Sequence, residues 1–291
     1  MRKAFLAVFA LQALATALPA VAEERQPEWV PELCWHNDYN DAVNVATREK
    51  KMLLVYFSER RLDSVHQAFA RTTLGDPRVA KELSSKYVLC RVVNREKILF
   101  ARRRAALLDH PAFAEMQQRP GIAILDFAHQ KADYYQQVVS AFPFTAGMYY
   151  NADAMLTILG LPAGSLTQRT MIYAIRTHRD RPQSTIGEFH PVLAEQAKKQ
   201  SIRMASMRNQ GHHNWGSRAQ QISYQVGDMP QEIVAESWPG ESLLEACKDC
   251  VDSWRQSSGH WRQVRSRHGI FGYDIQKGQN GIWYATGIFA R

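Results

Sequence analysis

The chain has 291 residues, of which 45% are hydrophobic and 22% charged, with a formal net charge of +8. That balance fits a soluble globular protein long enough for two domains. Beyond the first eighteen residues no stretch is apolar enough to cross a membrane as a helix, and no internal repeat is visible.

The N-terminus predicts an export signal. Arg2 and Lys3 form a positive start, and Ala4 to Leu18 is apolar apart from Gln12 and Thr16. Pro19-Ala20-Val21-Ala22 then supplies small residues for cleavage after Ala22. A membrane anchor is the alternative, but the run is short against a span of about 20 residues. Residues 1–22 are therefore expected to be a signal peptide, and the mature protein to be periplasmic or extracellular. Removing that segment leaves a charge of +6. The densest basic spots are Arg102-Arg103-Arg104 and the group Arg262, Arg265, Arg267. Export argues against nucleic acid as a partner. It leaves solvated faces, envelope lipid or polysaccharide, or another exported protein. The four cysteines, Cys34, Cys90, Cys247 and Cys250, can oxidise outside the cytoplasm, but they are too few for a disulfide framework. Three pairings remain open.

The elements of the first half alternate. Residues 40–50 carry Ala42, Val43 and Ala46 at helical spacing. Met52 to Phe57 is a continuous apolar run of strand length, suited to a sheet covered on both faces. A helix is expected from Asp63. A second, opened by Asp76-Pro77, is amphipathic through Val79 and Leu83. Tyr87 to Val93 reads as another strand. A basic helix is expected around Arg102, and Pro120-Gly121 introduces a third strand reaching Phe127. Strands alternating with helices predict an α/β fold with a largely parallel sheet. Leu159 to Gly164 is a connector. Thr167 to Arg176 reads as a helix, and residues 177–189 are polar and turn-rich. Leu193 to Asn209 is helical again, with Leu193, Ala197, Ile202, Ala205 and Met207 roughly on one side.

Trp35, the strand KKMLLVYFS, the Asp76-Pro77-Arg78-Val79 helix and the Pro120 strand resemble the thioredoxin fold. The resemblance covers residues 27–160 and implies that Pro120 stands where the family keeps a cis-proline. One departure decides the chemistry. The family's Cys-x-x-Cys follows the first central strand, where a helix N-terminus lowers the thiol pKa. Here that stretch is Ser58 to His66 and holds no cysteine. Thiol exchange needs a thiolate, so this part is expected to be redox-inactive. Ser64 and His66 are not spaced as a diagnostic nucleophile and base.

The last third carries QGHHNWGSR, QEIVAESW, VDSWRQSSGHW and a terminal aromatic strand run. That order resembles the CAP superfamily, the cysteine-rich secretory, antigen 5 and pathogenesis-related proteins, over residues 167–291. The resemblance implies an α/β/α sandwich with a cavity of two histidines and two glutamates. His212 or His213 matches the first histidine, Glu232 the first glutamate, and His260 the second histidine. Ser257 stands where the second glutamate belongs, and Glu236 is the nearby replacement. His213, Glu232 and His260 are thus the implied metal set, with zinc the implied metal. Apart from any family, two imidazoles and a carboxylate suffice for zinc with an open position, or hold water or polarise a carbonyl. A hydrogen-bonded structural cluster, with His260 capping a helix end, is the plainer alternative. His212 and His213 are adjacent, so on regular structure only one faces the cavity.

Trp215, Trp238, Trp254, Trp261 and Trp283 make this part aromatic-rich, with core packing as the default role. Trp254 and Trp261 share one side if a single helix runs through Gly259. Cys247-Lys248-Asp249-Cys250 has redox spacing, but Leu243, Leu244, Cys247, Val251 and Trp254 form an apolar helix face. A redox cysteine sits instead at an exposed helix N-terminus. The expected function is an exported, non-enzymatic binding or scaffold protein. A metal-dependent hydrolase using the cavity and a thiol-redox or chaperone-like protein are the alternatives.

Overall fold

The computed structural model describes residues 33–60, 63–100, 103–145 and 147–291. The expected signal peptide, and Arg102 among the basic residues, lie outside them. No helix among the described residues is long and apolar enough to cross a membrane.

The first half is built on one five-stranded sheet. After β1 (Trp35–His36), Asp38 caps α1 (Tyr39–Glu49) by accepting from the Asp41 amide. β2 (Met52–Ser58) is buried along its whole length, as its unbroken apolar run requires. α2 (Ser64–Phe69) continues into one π turn, and α3 (Pro77–Lys86) follows with Asp76 as its cap and Pro77 at its first position. β3 (Tyr87–Val93) returns parallel to β2.

Three expectations need correction here. The basic segment is not a helix. It is an antiparallel ribbon of β4 (Lys97–Phe100) and β5 (Arg103–Ala106). The sheet is not largely parallel. β6 (Gly121–Leu125) pairs antiparallel with β2, and β7 (Val138–Pro143) antiparallel with β6, giving the order β1-β3-β2-β6-β7. Among the described residues no α-helix lies between β3 and β6 or between β6 and β7, so no crossover helix returns β6 or β7 parallel to its neighbour. The peptide bond before Pro120 is trans, as are the other described bonds.

α4 (Ala152–Leu159) leads through residues 160–165 into α5 (Leu166–Arg176), which opens with a capping box of Ser165 and Gln168. The second half follows. β8 (Glu188–Phe189), α6 (Pro191–Met207), α7 (Trp215–Val226), β9 (Gln231–Glu236), α8 (Leu243–Gln256), α9 (Ser258–Arg265), β10 (Ile270–Lys277) and β11 (Trp283–Ala290) come in that order. The strands form a second sheet, β8-β10-β11-β9. α6 packs on one face of it and α5 with α8 on the other, which makes three layers. Gly272 permits the close approach of α6, because a Cβ there would lie 2.2 Å from the Ala194 nitrogen. Ile202 and Met207 are exposed, so the buried side of α6 is narrower than its apolar pattern suggests.

One apolar core runs through both halves. It joins Leu54, Tyr56 and Phe142 of the first sheet to Trp254, Phe271 and Phe289 of the second through Met171, Ile172 and Tyr173 of α5. α5 also carries the fully buried Arg169, whose guanidinium donates to Ser140 and to the carbonyls of Ile158, Leu161 and Pro162. A buried charge is tolerated where its donors are satisfied in this way.

Candidate functional site

The site forms where β9, the α6–α7 loop and α9 meet. β9 is an edge strand, and its alternation turns Ile233 and Ala235 into the core shared with α8. Glu232 and Val234 therefore point to the other face. The α6–α7 loop begins at Arg208 and ends at Asn214, both in the left-handed region. Gln200 of α6 pins the loop by donating to the Gly211 carbonyl at 2.6 Å, and Gln210 donates to the Val234 carbonyl at 3.3 Å. This places His212 above Glu232.

Glu232 has a fully buried side chain and both its carboxylate oxygens are used. Oε1 meets His212 Nδ1 at 3.0 Å, and Oε2 accepts from Arg218 at 2.5 Å. Arg218 lies in the first turn of α7, is nearly buried, and stacks over the Trp215 ring at 5.2 Å. The His212 side chain remains 44% exposed. Its ring lies 6.0 Å from that of His260, which sits in the first turn of α9. Burial, and then the neighbouring His212, hold the His260 imidazole below the usual histidine value.

Of the expected residues, His212, Glu232 and His260 come together. His213 does not join them; its Nε2 bonds the Asn209 carbonyl at 3.1 Å. Glu236 ends β9, exposed and about 13 Å along the strand from Glu232 at an ordinary strand rise. Ser257 is the junction between α8 and α9, where the helix breaks, so Trp254 and Trp261 lie on separate helices. His260 is inside α9 and is not a cap. Arg218 is the residue that sequence reasoning missed. It shares the apolar face of α7 with Ala219 and Ile222, and a basic residue on such a face implies a buried acidic partner.

The arrangement fits zinc poorly. A catalytic zinc site uses three protein ligands. Here the carboxylate is already bound by a guanidinium, and two imidazoles remain. Among the described residues no group of three or more His, Cys, Asp or Glu side chains is placed to hold a metal. What the geometry does provide is an imidazole oriented by a carboxylate. A carboxylate at Nδ1 selects the tautomer with its proton there and leaves Nε2 as an acceptor. Among the described residues no hydroxyl or thiol hydrogen-bonds to either ring.

The position of the missing thiol pair is filled differently. Ser58 is buried and accepts from Arg91 Nε at 3.0 Å, and Asn94 donates to Glu59 at 3.1 Å. His66 is buried with Nδ1 2.5 Å from the Tyr56 hydroxyl, so it is bonded to that ring and not to Ser64. Burial lowers its proton affinity. The two cysteines of α8 are also buried, and burial pushes both thiols up, away from the reactive thiolate. None of the four cysteines is in a disulfide.

Residues 34–126 match a family model described as thioredoxin-like. The fold is thus α/β with a thioredoxin-like N-terminal domain. Two solved structures are similar to parts of the chain. One is an outer surface protein from Borrelia burgdorferi, 21% identical, over 36% of this chain and 77% of that one, with a TM-score of 0.30. The other is a thioredoxin from Thermus thermophilus, 19% identical, over 44% of this chain and 85% of that one, with a TM-score of 0.29. No curated relative matches the chain. A thioredoxin-like domain is compatible with a redox or a binding role.

Proposed function

We propose that the chain is an exported, non-enzymatic binding protein, with a CAP-like second half that holds a polar ligand at the neighbouring rings of His212 and His260. One observation carries this reading: both oxygens of Glu232 are committed, to Arg218 and to His212. The carboxylate is then neither a free base nor a free metal ligand, and its effect is to hold one imidazole ready for hydrogen bonding. The three-layer packing of the second sheet supports the CAP-like half. The filled, thiol-free end of β2 and the buried Cys247 and Cys250 favour binding over disulfide exchange. Ligands of matching chemistry are hydroxyl- or oxyanion-bearing groups of the cell envelope.

The test is titration of histidine-labelled protein with a soluble cell-wall glycan fragment and with glycerol phosphate. Saturable shifts of the His212 and His260 ring signals are expected, with the added compound recovered unchanged. Hydrolysis of either compound, lost in H212A, would establish the hydrolase reading instead. No shift with either compound would remove the histidine pair as the binding site.

A further inference from the structure

A recess, about 450 Å³ in volume, lies between the start of β9, the end of α9 and the segment that follows α9. That is within the size range of small-ligand sites. Its charged lining is mainly basic. Arg262 and Arg267 are both exposed, and among the described residues neither forms an ion pair. The lone acidic side chain, Asp228, is already engaged: it accepts from the Arg291 backbone amide at 2.8 Å. His268 forms one wall, stacked on Phe289 with 4.4 Å between ring centroids, and its Nε2 bonds the Gln263 carbonyl at 2.8 Å. The ring is thus held on two sides, and among the described residues neither guanidinium group has a hydrogen-bond or ion-pair partner.

A helix C-terminus favours basic residues through its dipole. That effect accounts for Arg262 and Arg265, which share the last turn of α9. It does not account for Arg267, which lies beyond the helix, or for the recess between Arg262 and Arg267. Planar guanidinium groups match the tetrahedral oxygens of phosphate through paired hydrogen bonds. We propose that this recess binds a phosphate-type oxyanion through Arg262 and Arg267, with the side-chain amides of Gln231 and Gln263 as neutral donors. The inference uses none of the histidine site and stands apart from it.

The experiment is calorimetric titration of the purified chain with inorganic phosphate at low salt, using wild type, R262A/R267A and R265A. Saturable binding is expected in wild type. It should weaken about tenfold or more in R262A/R267A and stay within about twofold in R265A, with unchanged thermal melting in all three. No saturable binding, equal binding by R262A/R267A, or an equal loss in R265A would overturn the proposal. The last result would mean diffuse surface charge. A second arm identifies the source of the oxyanion. Sedimentation with phosphatidylglycerol vesicles that is lost in R262A/R267A assigns a lipid headgroup. Phosphate binding without sedimentation assigns a soluble phosphate ester, and both results uphold the site.

Discussion

Arg218 donates to Glu232 across the edge of the second sheet at 2.5 Å, with the carboxylate fully buried and the guanidinium nearly so. This pair makes the site a holder of His212. Removing one partner of a buried pair leaves the other charge without compensation. R218A should therefore lose about 3–5 kcal/mol of stability, measured by urea unfolding. R218K keeps the charge but lacks the fork geometry, and should recover part of that loss. A loss under about 0.5 kcal/mol in R218A, the size of an ordinary surface change, would mean the pair does not organise the site.

The thiols give a second prediction. Cys34 is exposed, whereas Cys90, Cys247 and Cys250 are buried, and burial pushes Cys90 up to about 12. A thiol reagent should modify one cysteine rapidly in the native protein and all four after denaturation. No insulin reduction should be seen. C247A/C250A should fold and lose about 1–2 kcal/mol, as small core truncations do. Rapid native labelling of Cys247 or Cys250, or turnover of insulin, would restore the redox reading.

Asp274 gives a pH prediction. Its carboxyl is buried, accepts from Gln276 at 2.7 Å and Thr167 at 3.1 Å, and is pushed up from 3.8 to about 7. The folded state therefore keeps a proton that the unfolded state releases. The stability from this group is fully present below pH 3.8 and is lost as pH rises through about 7. D274N cannot ionise, so it should gain on wild type as pH rises from 3.8 to about 7, by on the order of 4 kcal/mol at most, and hold that gain above. A stability difference between the two proteins that does not change with pH would contradict this.

Much of this arrangement could be read from residue order, and the failures have physical causes. Met52 to Phe57 announced a buried strand because both its faces are covered. Asp76-Pro77 announced a helix start because cap and proline act locally. The β4–β5 ribbon departs from the expected helix because it is too short to show a period: Ile98 packs on the core and Leu99 beside it is exposed, but the basic run that follows hides this alternation. The antiparallel β6 and β7 were missed because alternation of elements does not say which connections contain a helix. At the site, His212, Glu232 and His260 were legible as residue types. Which of His212 and His213 turns inward was not, since it depends on the left-handed backbone at Arg208 and Asn214. Arg218 was overlooked because its role appears only when Glu232 is known to be buried.

Zinc provides a fourth prediction. Two imidazoles beside a guanidinium should not bind zinc stoichiometrically at micromolar concentrations at pH 7.5. Calorimetry on wild type and H260A checks this. Tight one-to-one binding that H260A abolishes would return Glu232 to the metal and sink the geometry described here.

The most direct test of the central claim is the tautomer of His212. If Glu232 holds this ring, a long-range proton–nitrogen spectrum at pH 7.5 must show its proton on Nδ1 and a bare Nε2 facing the ligand. In E232Q that preference should relax toward a mixture of the two tautomers. A proton on Nε2 in wild type, or the same spectrum in E232Q, would show that the carboxylate does not orient His212.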